Sequence, residues 1–211
     1  MIVIIDYGRG NLRSVQKGFE HAVAHDLDVR VSGDPKLIAE ADGLVLPGVG
    51  AFGDAKASLD RGGLSELITQ RALAGVPLLG ICLGMQLLLD KSLEFGEHEG
   101  LGLVAGTCRP FPQDVGIKVP HIGWNTLDFS AARSSLFEGI PAEGSVYFVH
   151  SYYCALENPA ESIARTDYGI EFVSALQKGN IFGVQFHPEK SSTIGLKMLS
   201  NFAEVVSKGE Y

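Results

Sequence analysis

Cys82 stands inside Gly80-Ile81-Cys82-Leu83-Gly84, a pattern suited to a strand that turns sharply into a helix. Small residues two before and two after a nucleophile leave room for such a turn. Placed there, the sulfur lies at a helix N-terminus, whose partial positive charge favours a thiolate. The backbone N–H of Leu83 then points where the oxyanion of a tetrahedral intermediate would form. The other reading of these residues is a core cysteine between close-packed glycines. A nucleophilic thiolate needs a base, and the base needs an orienting group. His187-Pro188-Glu189 contains both. Positions i and i+2 of an extended segment share a face, and Pro188 favours extended backbone at His187. Glu189 is therefore expected to hold Nδ1 of His187 while Nε2 faces the thiol; a surface His-Pro-Glu turn is the alternative.

Pro47-Gly48-Val49-Gly50 leaves a predicted strand at its carboxyl end, where ligands bind in open parallel sheets. Backbone at Val49 and Gly50 can offer the oxyanion a second N–H beside that of Leu83, or form a plain loop. Glycine on both sides lets the Val49 peptide turn over, presenting a carbonyl in one setting and an N–H in the other. Gln86, four residues after Cys82, falls on the same helical face.

These groups need a frame. Ile2–Asp6, Val29–Val31, Gly43–Leu46 and Pro77–Ile81 read as strands. Helical patterns lie between them: one from Leu12, capped by Asn11, one begun by Asp34-Pro35, and two around Asp54–Asp60 and Leu64–Ala74. Strand and helix in alternation predict a mostly parallel central sheet flanked by helices, flavodoxin-like in form. After Gly100 the pattern changes to short β-rich runs, Leu101–Phe129 and Ser145–Phe186, an antiparallel β insertion in the C-terminal half. Glu171–Gln177 and Asn180–Phe186 form a hairpin about Lys178-Gly179. A final helix, capped by Ser191 or Ser192, carries Leu196, Leu199, Phe202 and Val205 on one stripe. The whole chain, 1–211, reads as one α/β domain.

Composition narrows the class. The 211 residues are 45% hydrophobic and carry 17 Lys plus Arg against 25 Asp plus Glu, a net charge of −8. That balance disfavours nucleic acid and anionic membrane as partners, and the apolar content excludes a disordered chain. Three widely spaced cysteines with no CxxC pair fit a reduced, cytoplasmic protein, and the opening Met1–Asp6 lacks the basic region and apolar length of a signal peptide. Ala72–Leu89 carries no charge but is interrupted by Gly75, Pro77, Gly80, Gly84 and Gln86, too often for one membrane helix.

Together, the elbow around Cys82 and the His187-Pro188-Glu189 segment resemble the class I, triad-type glutamine amidotransferases, over nearly the whole chain. Asp6–Leu12 (DYGRGNL), Pro47–Gly53 (PGVGAFG) and Pro120–Asn125 (PHIGWN), with Gly80–Leu88 and Phe186–Ser191, are similar to one branch of that family, the glutaminase subunits of imidazole glycerol phosphate synthases. The resemblance implies that Cys82 attacks the side-chain amide of glutamine, that His187 protonates the leaving ammonia, and that water releases glutamate from the thioester. It implies glutamine contacts from Gln86, Glu94, His150, Ser151 and Tyr152, with Glu97 and Glu99 as alternatives to Glu94. It further implies a heterodimer with a (β/α)8-barrel cyclase subunit of histidine biosynthesis, and no cofactor. Asn11, Trp124, Tyr147 and Lys190 match positions facing that barrel. Trp124 alternatively belongs to the core of the β region, and Lys190 is alternatively an ordinary surface charge.

Two other functions compete on the same residues: a stand-alone cysteine hydrolase, and a non-catalytic nucleotide-binding module. Against the second, Gly8-Arg9-Gly10 has Arg13 where a dinucleotide fingerprint has its third glycine, and no phosphate loop is present. His21 and His25 share a helix face at i, i+4, but a third metal ligand is not evident. His98, among Glu94, Glu97 and Glu99, reads as a solvated loop residue, and His121 has no role derivable from its spacing.

Overall fold

A computed structural model describes residues 1–23, 27–114, 116–129, 134–142 and 144–209; His25 lies outside them. The first part alternates: β1 (Ile2–Ile5), α1 (Leu12–Ala22), β2 (Val29–Ser32), α2 (Pro35–Glu40), β3 (Gly43–Gly48), α3 (Phe52–Arg61), α4 (Leu64–Leu73), β4 (Leu78–Cys82) and α5 (Leu83–Leu87). There follow β5 (Leu89–Ser92), β6 (His98–Glu99), β7 (Val104–Pro110), β8 (His121–Thr126), β9 (Ser145–His150), β10 (Tyr152–Leu156), β11 (Ser162–Asp167), β12 (Glu171–Lys178), β13 (Ile181–Val184) and α6 (Ser192–Lys208).

The apolar strands are buried on both faces, as a parallel sheet covered by helices requires. Along β1, Ile2 and Ile4 enter one core with Phe19 of α1 and Leu199 and Phe202 of α6. Val3 and Ile5 enter the other, with Ile38 of α2, Phe52 and Leu59 of α3 and Ile68 of α4. The period-two alternation of side chains thus deals successive residues of one apolar run into opposite helix layers.

Among the described residues the main sheet runs β2-β1-β3-β4-β13-β12-β10-β7-β5-β6, with β11 paired to β12. β2, β1, β3, β4 and β13 are mutually parallel neighbours. The strands of the second half, antiparallel except where β5 meets β7, continue this sheet, while β8 and β9 form a separate two-stranded antiparallel sheet. The expected β12–β13 hairpin is present, its turn one residue later: Lys178 pairs with Ile181 across Gly179-Asn180. No helix among the described residues is long and apolar enough to cross a membrane.

Local expectations fared unevenly. Asp34 caps α2, accepting from the Lys36 N–H at 3.0 Å. Asn11 makes no side-chain cap to α1, its backbone at φ −88° and ψ +63°. Neither serine caps α6 as expected. Ser191 holds the N-cap position without a side-chain bond to the helix, because its hydroxyl donates to the carbonyl of His187 at 2.6 Å and accepts from the Tyr147 N–H at 2.9 Å.

Candidate active site

Three adjacent strands end at one place. Gly48 of β3 stands beside Cys82 of β4, and Val184 of β13 stands beside Ile81. The carboxyl ends of β3, β4 and β13 therefore deliver the Val49–Gly50 loop, Cys82 and His187 to one edge of the sheet.

Cys82 is held at φ +55° and ψ −109°, in a region that non-glycine residues rarely occupy and that marks a nucleophile elbow. The flanking glycines are dictated by space. A Cβ on Gly80 would come within 2.7 Å of the Met85 backbone nitrogen, and one on Gly84 would run into the carbonyl oxygen of Leu46. The helix that follows is only five residues long. The expected helix charge at the sulfur therefore reduces to the free N–H groups of a turn and a half, since a summed dipole needs length.

His187 meets Glu189 as expected, Nδ1 to Oε1 at 2.9 Å, with side-chain exposures of 4% and 1%. The route differs from the extended pair foreseen. His187 itself is extended, at φ −102° and ψ +95°, but Pro188–Lys190 is a 3-10 turn, and that turn swings Glu189 back under the imidazole. The segment is clipped at both ends to Tyr147, whose carbonyl accepts from the His187 N–H at 2.9 Å and whose N–H reaches Ser191. Burial disfavours charge on His187, but its interactions with Cys82 and Glu189 outweigh that and raise it from 6.5 to about 9. Nε2 has no hydrogen-bond partner among the described residues, and Cys82 acts on the ring together with Glu189.

A cavity of about 300 Å³ opens here, at the lower end of the range for small-molecule sites. Cys82, Leu83, Val49, Gly50 and His187 form one part of its wall. Gln86, Glu94, His150, Ser151 and Tyr152, the residues expected to contact glutamine, form the rest with Pro120 and Val149. Glu94 caps α3 through the Phe52 N–H at 2.6 Å, whereas Glu97 pairs with Lys91 at the surface and Glu99 is exposed on β6. His98 is not a solvated loop residue: it is half-buried on β6, and its ring fills the space a Cβ on Gly53 would take. Gly50 has φ +94°, while Gly48 is a strand residue whose missing Cβ makes room for the Tyr7 hydroxyl at 2.6 Å.

Three participants carried no expected role here. Gln185 is fully buried and donates from Nε2 to Cys82 Sγ at 3.7 Å; a lone amide in the apolar run Ile181–Phe186 was its sequence signal, because a buried polar group must find a partner. His121 lies with Nδ1 at 3.0 Å from Nε2 of His150, stacked between Tyr168 and Phe148. Burial lowers His121 to about 4 and His150 to about 3, so both are neutral. Ser191 ties down the His187 segment.

Outside the cavity, Trp124 is 56% exposed, a surface residue and not part of the core. It meets Tyr147 edge-on at 6.1 Å, and Lys190 Nζ lies 5.9 Å from the Tyr147 ring centroid. Ile122 and Val119 are exposed on the same stretch. Asn11 is exposed at the start of α1.

The glutamine amidotransferase class-I family model matches residues 3–206. This chain belongs to that family, and so to a class of enzymes. It is 49% identical over 210 residues to the imidazole glycerol phosphate synthase subunit HisH of Syntrophotalea carbinolica, a match covering 97% of this chain and all of the relative. It is 50% identical to the subunit of the same name from Aquifex aeolicus, covering 98% of this chain and 97% of that one. A crystal structure of a glutamine amidotransferase superposes with a TM-score of 0.74 over 98% of both chains at 17% identity, a likeness of fold.

Proposed function

We propose that this chain is the glutaminase subunit of an imidazole glycerol phosphate synthase, a cytoplasmic enzyme that hydrolyses glutamine and passes ammonia to a (β/α)8-barrel cyclase subunit. The observation that carries the reading is the buried Glu189–His187 pair, whose imidazole interacts with Cys82, with Cys82 and His187 in the wall of one cavity. The names of its relatives at about half identity, subunits of that synthase, support the reading that the chain works with a partner subunit.

In this reading the Cys82 thiolate attacks Cδ of glutamine. The oxygen takes the negative charge, held by the N–H of Leu83 and an N–H of the Val49–Gly50 backbone. The C–N bond then breaks as imidazolium His187, kept charged near neutral pH, gives its proton to the departing amine. Water attacks the resulting thioester as His187 takes its proton, and the C–S bond breaks with its electron pair on sulfur, releasing glutamate and restoring the thiolate beside imidazolium His187. Glu189 orients the ring and stabilises its charge without bonding to substrate. Gln86 has both amide hydrogens engaged, with the Tyr152 carbonyl at 3.1 Å and Gln185 Oε1 at 3.0 Å, so it meets glutamine through its oxygen. Glu94, His150, Ser151 and Tyr152 complete the substrate wall.

The cyclase docks on the face of Trp124, Tyr147, Lys190 and Asn11. An exposed Trp beside a half-buried Tyr and a cation has the composition of an interface hot spot, and Val119 and Ile122 continue that face to Pro120 at the cavity wall.

The test is glutamate release from glutamine by the purified chain, alone and with the ligand-bound cyclase. Slow release alone and stimulated release in the complex support the proposal, with both abolished by Cys82→Ala while the complex still makes product from added ammonium. Glutamine-dependent turnover by Cys82→Ala refutes it.

A further inference from the structure

The short α5 leaves open what favours the ionised sulfur besides His187, and a chain of buried amides answers it. Gln86 Nε2 lies 3.1 Å from the carbonyl oxygen of Tyr152. Only an N–H can face a carbonyl oxygen, so this contact fixes which end of the Gln86 amide is nitrogen. The same nitrogen lies 3.0 Å from the Gln185 amide, which must therefore turn its oxygen toward Gln86. Its own nitrogen is then obliged to face Cys82, at 3.7 Å. Both glutamines are buried, so water does not compete for these bonds, and the Gln185 backbone N–H is fixed to the Ser174 carbonyl at 2.9 Å.

We infer that Gln185 is a positioning residue of the reaction: its amide N–H, oriented through Gln86 by the Tyr152 carbonyl, holds the Cys82 sulfur and favours its ionised form. The protonated thiol has another partner, since Sγ lies 3.9 Å from the Val149 carbonyl, an acceptor only. An ionised sulfur can only accept; Gln185 donates to it, and protonated His187 interacts favourably with it. The preference for the charged form follows, because hydrogen bonds to an ionised partner are stronger than those to a neutral one. Gln185 is absent from the cavity wall, so it acts through Cys82 and not on substrate. The inference deepens the proposed glutaminase reading and rests on it for its bearing on catalysis.

The titratable groups acting on this centre are His187 with Glu189 behind it, Tyr7 from the loop after β1, His150 of β9, Cys108 of β7 and Cys154 of β10. All are retained when Gln185 is changed. Burial also raises Cys108 to about 12 and Cys154 well above its ordinary value, so near neutral pH iodoacetamide reads Cys82.

The experiment is the pH dependence of Cys82 alkylation by iodoacetamide in the folded full-length chain, with the labelled peptide identified by mass. Two variants are compared with wild type. Gln185→Met keeps length and removes the N–H. Gln185→Glu keeps shape and can still accept from Gln86, but sets a carboxyl oxygen against the sulfur. The expected result is an upward shift of the alkylation midpoint by about one unit in Gln185→Met, or about tenfold slower labelling below the midpoint, and a shift at least as large in Gln185→Glu. In the glutaminase assay kcat falls about tenfold below the midpoint while KM for glutamine stays unchanged. Alkylation profiles that overlie wild type in either folded variant overturn the inference, as does a changed KM with an unmoved profile. Labelling requires neither glutamine nor partner. A shifted profile in a chain with no glutaminase activity thus supports the amide chain and sinks the functional reading, and an unshifted profile in an active glutaminase does the reverse.

Discussion

Two histidines in the walls of one cavity are pushed in opposite directions, His187 up to about 9 and His150 down to about 3. Burial lowers both; the difference is that His187 has a carboxylate and a thiol for company, while His150 has a carbonyl and another neutral imidazole. A histidine that stays charged is thus set beside a neutral, hydrogen-bonding one. In the proposed mechanism Glu189 orients His187 without bonding to substrate, so His187→Ala should cost more than Glu189→Gln, the former several orders of magnitude in kcat. Glutaminase kcat of both variants at one pH, in the complex, checks this; an equal or larger loss in Glu189→Gln would give the acid a further role. At this scale the sequence was most readable where a residue type is rare for its setting. Cys82 between glycines and His187 before Pro-Glu declare themselves through spacing. His121 did not, because its significance is its contact with His150, twenty-nine residues away, and nothing local to Pro120–Asn125 encodes that.

Elements convert those residues into a site by ending together. The alternation of strands and helices was legible because fully apolar strands and amphipathic helices have different periods. The side-by-side order of β3, β4 and β13 was not, since β13 reaches its place only after the whole antiparallel section has been laid down. Caps were the least readable. The serine expected to cap α6 instead clips His187 to β9, a competition between two partners for one hydroxyl that only tertiary placement decides. The loop after β3 carries the element-scale prediction. Gly50 sits at φ +94°, and among the described residues only the Arg9 guanidinium lies near its missing Cβ, so conformation, not space, demands glycine there. Gly50→Val should leave cyclase binding largely intact but impair stimulated glutaminase by roughly 10²–10³, the worth of one oxyanion donor. Binding by titration and glutamate release in the complex separate the two effects, and unimpaired stimulation would remove this loop from the oxyanion site.

Across the whole molecule, the separate two-stranded sheet of β8 and β9 joins the exposed Trp124 face to the cavity: its outer residues form the apolar patch, and its inner residues His121 and His150 are buried together. That burial makes stability depend on acid. The unfolded chain takes up protons on these histidines near 6.5, the folded chain only near 4 and 3. The unfolded state therefore binds more protons between those limits, and stability falls as pH drops below about 6.5. Melting temperatures from pH 7 to 4 should decline, and decline less steeply in His121→Phe, which keeps the stack on Phe148 and Tyr168 but removes one titrating ring. A slope unchanged by the substitution would place the acid sensitivity elsewhere. The functional account itself stands on a covalent bond at one sulfur. Acid-quenching the complex during glutamine turnover and weighing the intact chain tests it most directly. The account predicts a population heavier by one glutamyl group, mapped to Cys82, absent in Cys82→Ala and rising in Glu189→Gln if hydrolysis of the thioester slows more than its formation. Glutamine turnover with the glutamyl group on another residue, or continued turnover in Cys82→Ala, would contradict it.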